Sequence, residues 1–272
     1  GMNGLFAKLS MTELRAQQGT CSAECTTYQC YKGGPQKGEG METDGCPLYS
    51  HPAQLEDNRD CVLCMTCLKA CPHRSVELNL RPPGIELWTT HVPRSYEVAL
   101  LMLLLGGIFL HRLPEILSIL GLNLNLTQFW PHLGVSLAAL IVPATVPFLA
   151  YGLIKLFHGS LKSRSFVELA YGYLPLVWGG SLAHYLRLGL GEAGRIIPVT
   201  FATFGMNGEA LPILVAHPAV IAFLQGTTLI FSTFLTAILT QKIARQSVRS
   251  LLPQHLAAVV LAVSLWAIIV DW

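Results

Sequence analysis

Residues 61–72 read CVLCMTCLKACP, four cysteines in twelve positions closed by a proline. An apolar core has no use for thiols at that density, so the segment folds around inorganic chemistry or is tied by disulfides. In the run C-x2-C-x2-C-x3-C-P, short loops aim three sulfurs at one iron-sulfur cube, and the fourth sulfur serves a neighbouring cube. Cys61, Cys64, Cys67, Cys71 and Pro72 meet that spacing at every step. A second set of thiolates is then required, and it lies upstream: Cys21, Cys25, Cys30 and Cys46, the last followed by Pro47.

Exchanging the two Cys-Pro cysteines gives one [4Fe-4S] cluster on Cys61, Cys64, Cys67 and Cys46, and a second on Cys21, Cys25, Cys30 and Cys71. The upstream spacing is looser, with gaps of three, four and fifteen residues and the insert KGGPQKGEGMETDG at residues 32–45. A different cluster type or a zinc ion on that first group is the alternative. Four-cysteine zinc sites also use C-x2-C pairs. They have no need of a third cysteine at the next x2 step, nor of a fourth three residues later followed by proline. His51 and His73 lie near the cysteines and are read as sulfur-bonded or solvent-facing rather than as ligands.

The compartment follows from the cysteines and from what surrounds them. The opening GMNGLFAKLSMTELRAQQGT has neither the basic start nor the apolar stretch of a secretory signal. The cysteines are therefore expected in the reducing cytoplasm, where tight even spacing favours metal or redox chemistry over a disulfide scaffold. Glycines and prolines between them mark loops, and SVELNL at residues 75–80 alternates as a short strand. The expected fold is a small α+β ferredoxin-like iron-sulfur domain over residues 1–95, dependent on metal for its stability.

From residue 96 onward the chain changes character. Residues 1–96 hold 19 of the 34 Asp, Glu, Lys and Arg side chains, and the other 176 residues hold 15. That is far below the roughly 25% of a soluble domain, and no basic patch suggests nucleic acid. Apolar runs at 133–156, 166–188, 211–240 and 252–271 each approach or exceed the roughly 20 residues a helix needs to cross a bilayer. A shorter run, 98–110, ends at His111, Arg112, Pro114 and Glu115, and spans if its helix continues to about 119. An all-α transmembrane bundle of about five helices over residues 96–272 is expected.

Lys155, Lys162 and Arg164 follow the second run, and Lys242, Arg245 and Arg249 follow the fourth. Basic loops collect on the cytoplasmic side, so the cysteine segment is expected inside and Trp272 outside, in the inner membrane. His132, His184 and His217 then fall toward the outer leaflet, with His184 the deepest. A polar side chain at that depth is a functional hypothesis by default: His184 and His217 as a haem b ligand pair, or a histidine contacting quinone. The plain alternative is hydrogen bonding to headgroups or backbone. Pro143, Pro147 and Pro175 are expected to kink or open their helices, and Gly179 with Gly180 to allow close packing.

CVLCMTCLKACPHRS joined to several membrane helices resembles the membrane-bound polyferredoxins. These are related to the quinol-dehydrogenase subunits of nitrate and nitrous-oxide respiration and to the cytochrome oxidase accessory ferredoxin. The likeness covers residues 21–80 in motif; over the helices it rests on architecture and on pieces such as YGYLPLVWGGSLAHYLRLGL. GMNGLFAKLS is similar to the stretch that in this group follows a helix ending in Cys-Pro-x-Gly, which implies the later part of a longer protein. The resemblance implies single-electron relay between a cytoplasmic redox protein and a membrane partner, the quinone pool or a cytochrome. The rival expectation is a cluster-gated redox sensor, or a factor for metal-centre assembly or transport. Nothing in the sequence marks a nucleophile triad, a phosphate loop or paired catalytic carboxylates.

Overall fold

The computed structural model describes residues 2–34, 42–158, 164–208, 211–213 and 215–270. It separates into two compact units, Gly1–Pro93 and Arg94–Trp272.

The first unit contains α1 (Met2–Ala7), β1 (Thr12–Ala16), α2 (Gln18–Ala23), α3 (Gln29–Lys32), α4 (Thr66–Ala70), β2 (Val76–Leu80) and a 3-10 turn, Ile85–Trp88. β1 and β2 pair antiparallel, with Thr12 opposite Leu80 and Ala16 opposite Val76. Alternation turns Leu14 and Val76 inward. The amide of Gln17 extends the ladder by donating to the Ser75 carbonyl at 2.9 Å. Few apolar side chains are enclosed, chiefly Leu5, Leu14, Ala70, Val76 and Leu87.

Charge fills the remaining interior. Lys8, fully buried, donates to Asp57 Oδ2 at 2.7 Å and lies 3.3 Å from His91 Nδ1. Arg81 donates to Glu86 Oε2 at 2.5 Å and to the Ser10 carbonyl at 3.1 Å. Asn58 joins the two groups, its amide donating to Glu86 and its side chain to the Thr12 carbonyl at 2.8 Å.

This architecture corrects the expected fold class. Among the described residues the only named strands are β1 and β2, and an isolated bridge joins Gly34 to Thr43. No ferredoxin-like α+β domain forms, because a five-residue ribbon offers no sheet layer for helices to cover.

The second unit is helical: α5 (Ser95–His111), α6 (Leu113–Ile119), α7 (Phe129–His158), α8 (Phe166–Ala170), α9 (Leu174–Glu192), α10 (Ile196–Thr203), α11 (Pro218–Ala244) and α12 (Leu252–Ile269). Three helices are long and apolar enough to cross a membrane: Phe129–Phe157, Pro218–Ala244 and Leu252–Ile269. α5 and α6 pass the same test together, bent by 67° at Arg112, and make a fourth. Among the described residues three helices, or four with the bent pair, thus meet the test by length and composition, short of the expected five. The run at 166–188 does not qualify: it divides into α8, a 3-10 turn at Tyr171–Tyr173, and α9, which is long enough at 19 residues but carries glycines, His184 and Arg187 among its apolar residues. α9 buries Leu174, Leu176, Val177 and Ala183 among its neighbours. An enclosed helix is not required to be apolar on every side.

Outward faces carry Phe148, Leu149 and Leu156 on α7, Phe223, Phe231 and Phe234 on α11, and Val259 and Val263 on α12, all exposed. Apolar surface on that scale fits a lipid environment. α9 and α11 approach closely where glycine meets hydroxyl: a Cβ at Gly179 would lie 1.7 Å from Ser232 Oγ, and one at Gly172 would lie 2.3 Å from Thr240 Oγ1. Pro143 and Pro147 sit inside an unbroken α7. Pro175 does not kink a helix; it stands in the first turn of α9, where a missing N–H costs nothing.

Polar contacts gather α5, α7, α12 and the Tyr171–Tyr173 turn at one end of the bundle. Tyr171 donates to Glu97 Oε2 at 2.6 Å, and Tyr173 donates to the Gln254 carbonyl at 3.2 Å. Gln254 in turn donates to the Pro147 carbonyl of α7 at 3.4 Å.

Candidate functional site

Both cysteine loops use one backbone device twice. Tyr28, two residues before Cys30, and Met65, two residues before Cys67, take the left-handed conformation with φ 55° and 61° and open α3 and α4. Tyr49 and Arg74, each three residues after a Cys-Pro cysteine, do the same at φ 53° and 51°. Their amides return to the Cys46 and Cys71 carbonyls at 2.9 and 3.3 Å. Such a conformation costs an ordinary residue about 1–2 kcal/mol, and strain of this kind persists where surrounding structure holds it, commonly at ligand clamps. The loose upstream spacing therefore conceals a repeat that the backbone still displays.

Residues 35–41 of the insert lie outside the described residues. Its ends meet at the Gly34–Thr43 bridge, with N–O separations of 3.1 and 2.6 Å, and the Cys46 amide then donates to the Tyr31 carbonyl at 3.1 Å. Gly45 makes this return possible. It holds φ +81°, and a Cβ there would meet Gly33 N and Tyr31 O at 2.5 Å.

The eight cysteines carry no disulfide and fall into two neighbourhoods. Cys46, Cys61, Cys64 and Cys67 line one small hollow with Leu14 and Pro52. Cys21 and Cys71 flank the Ser75 hydroxyl, each sulfur 3.4 Å from it. Burial, and after it the sulfurs of Cys25, Cys71, Cys21 and Cys67, push the Cys30 thiol up to about 12. Burial, with Cys61 and Cys64 beside it, raises Cys67 to about 11. Cys71 goes the other way: burial opposes its ionisation, but hydrogen bonds from the Ser75 hydroxyl and from the amides of Ser75, His73 and Val76 prevail and lower it. Sulfurs crowded in this manner ionise together only beside a compensating positive charge.

Among the described residues no three His, Cys, Asp or Glu side chains converge tightly enough to hold a single metal ion. This is the second correction to the expected domain: among the described residues its cysteines are grouped but not closed into a metal site. His51 and His73 are engaged elsewhere. His51 Nδ1 accepts from the Ala53 amide at 3.1 Å amid Tyr28 and Tyr31, and His73 lies 3.9 Å from Glu24.

In the second unit the expected pairing of His184 with His217 does not form. His217 caps α11, its Nδ1 accepting from the Ala219 amide at 3.2 Å. His184 stacks on His111, with ring centroids 5.4 Å apart and planes 12° apart. Arg112 Nε donates to His184 Nδ1 at 3.2 Å, and Arg112 Nη1 donates to Glu115 at 2.8 Å. Tyr185 lies edge-on to His184 at 4.8 Å. Two axial ligands must each point a nitrogen at iron between them, and face-to-face rings leave no such gap, so these residues do not fit a haem. They satisfy the buried Arg112 at the α5–α6 bend. The sequence signal for this group was the polar interruption itself, residues 111–115 after an apolar run. Beside the bend lies a largely apolar groove of about 660 Å3, lined among others by Phe109, Leu113, Leu117, Val142, Pro143 and Leu261.

Fold and site together define a class in outline: a small cysteine-rich unit joined to a helical unit whose helices include three long and apolar enough to cross a membrane, among the described residues. The chain matches no family model, no curated protein and no solved structure.

Proposed function

We propose that this chain is a membrane-anchored electron-transfer protein. It relays single electrons through two [4Fe-4S] clusters between a cytoplasmic redox partner and a membrane partner, either quinone/quinol or a cytochrome. The observation that carries the reading is the gathering of the cysteines in two crossed neighbourhoods, Cys46 with Cys61, Cys64 and Cys67, and Cys71 with Cys21 and Cys30. Each Cys-Pro cysteine joins the other half's sulfurs, as two-cluster loops require. A cube holds its thiolates at four separate corners, so ligands for it stand wider apart than those of one zinc ion, in keeping with grouped sulfurs that do not close on a single ion. When bound, the clusters supply one-electron chemistry. The chain supplies the thiolates, the amides that donate to Cys71, and a neighbourhood in which Cys67 lies close to Cys30.

Orientation follows from charge. α11 ends and α12 begins at the end of the bundle marked by Glu97, Tyr171 and Gln254. Arg164, Lys242, Arg245 and Arg249 flank the helix ends there, and Lys155 lies toward the same end of α7. Lys162 lies outside the described residues. Basic residues favour the cytoplasmic side. α7 and α11 both run toward that end, so the enclosed α9 carries the chain back across between them; α5 starts at the same end directly after the cysteine unit, which puts the clusters inside the cell and the Ile269 end of α12 outside. The His111–His184 group stands about 25 Å along α5 from Ser95, at about 1.5 Å per residue.

Anaerobic purification in detergent tests the reading. About eight irons and eight sulfides per chain, with interacting reduced-cluster EPR signals after dithionite, are expected. Zinc, a colourless preparation, or cysteines labelled only from the periplasmic side would refute it. Gly45→Ala is expected to lower iron by about half, toward four per chain, because its Cβ collides with backbone and its φ suits glycine alone. Iron analysis reads this directly, and full loading would show that Cys46 is not held by this turn.

A further inference from the structure

We propose that Ser75 sets the reduction potential of the cluster held by Cys21, Cys25, Cys30 and Cys71, its hydroxyl being a shared donor to two ligand sulfurs; the inference rests on the reading of those cysteines as cluster ligands. Ser75 Oγ stands 3.4 Å from Cys21 Sγ and 3.4 Å from Cys71 Sγ, two sulfurs fifty residues apart in the chain. Ser75 is buried, and its backbone is fixed on both sides, with its carbonyl accepting from Gln17 at 2.9 Å and β2 beginning at the next residue. The hydroxyl is thus held between the two sulfurs by the fold rather than by a flexible side chain.

A ligating thiolate carries no proton, so the hydroxyl is the donor in both contacts. Having one proton, it serves one sulfur at a time, and the equal distances favour neither. Reduction adds an electron whose charge spreads onto the ligand sulfurs. A donor at those sulfurs therefore stabilises the reduced state more than the oxidised state and raises the potential. If Ser75 served only the Cys71 turn, its removal would leave the potential where it was.

The test is an EPR-monitored redox titration of the full chain, purified anaerobically, as wild type, Ser75→Ala and Ser75→Thr. Ser75→Ala is expected to keep its full iron while one cluster becomes harder to reduce. At the wild-type midpoint its reduced-to-oxidised ratio falls about tenfold, the scale of one charge-assisted hydrogen bond, which is about 59 mV for a one-electron couple. The other cluster keeps its midpoint, and Ser75→Thr, which retains a hydroxyl, stays close to wild type. Ser75→Ala titrating like wild type, Ser75→Thr shifting as far as Ser75→Ala, or Ser75→Ala losing iron would each overturn the role of Ser75 alone. Iron-free wild-type protein would overturn the cluster reading itself.

Discussion

The double variant Cys64→Ser/Cys71→Ser is expected to lose both clusters, whereas Cys46→Ser/Cys64→Ser loses one. Cys46 lines the same hollow as Cys64, while Cys71 shares the Ser75 hydroxyl with Cys21 on the other side. Two substitutions within one ligand set damage a single site, so the second adds little; substitutions in different sets add. Iron per chain reads the difference, near zero for the first variant and about four for the second. In an uncrossed arrangement Cys64 and Cys71 would share a cluster and the two results would exchange. Loss of one cluster is also expected to loosen the unit, since its apolar interior is small and metal binding is coupled to folding in domains of this kind. Protease sensitivity of the Cys46→Ser/Cys64→Ser chain would report this.

The second large effect is expected at Lys8. Its ammonium is fully buried and bonded to Asp57 at 2.7 Å, with His91 3.3 Å from the same nitrogen. Lys8→Met leaves the buried Asp57 carboxylate without its nearest cation, and removal of one partner from a buried pair costs about 3–5 kcal/mol. Arg59, 3.4 Å from Asp57, recovers part of that loss. Hydrogen exchange or urea unfolding of the cysteine unit measures the change, and a loss under about 1 kcal/mol would show that the pair behaves as a surface ion pair does. The pH dependence has a defined sign. Burial opposes ionisation of Asp57, yet hydrogen bonds from His91 and Lys8 hold its carboxyl well below the usual range. A depressed carboxyl contributes stability that is complete above the unfolded value near 4 and is lost as pH falls toward the folded one. Wild type should therefore lose stability below about pH 4, and Lys8→Met should show a weaker acid dependence.

Local spacing made part of this legible without coordinates. The run from Cys61 to Pro72 shows four thiols within twelve residues, and the apolar runs that became α7, α11 and α12 are each long enough to cross a bilayer. SVELNL was readable as a strand because alternation is local, but its partner, Thr12–Ala16, lies some sixty residues earlier and carries no signal of pairing. The same separation hid Ser75 between Cys21 and Cys71, and Lys8 between Asp57 and His91. His217 looked like a companion for His184 because both interrupt apolar helices at similar depth. Which ring faces which depends on helix rotation, and that brought His111 and Arg112 to His184 instead. The expectation of an α+β domain failed for a related reason: cysteine spacing specifies loops, and it says nothing of how many strands surround them.

By itself the sequence determined the crowding of thiols in the first half and the long apolar runs of the second, because both depend on neighbours within a few turns of chain. Tertiary structure alone decided which cysteines share a neighbourhood, which charges are buried against one another, and which helix is enclosed by the rest. Most of those contacts join residues far apart in the chain, such as Lys8 and Asp57 or Cys21 and Cys71, and their energies exist only once the intervening chain has folded back.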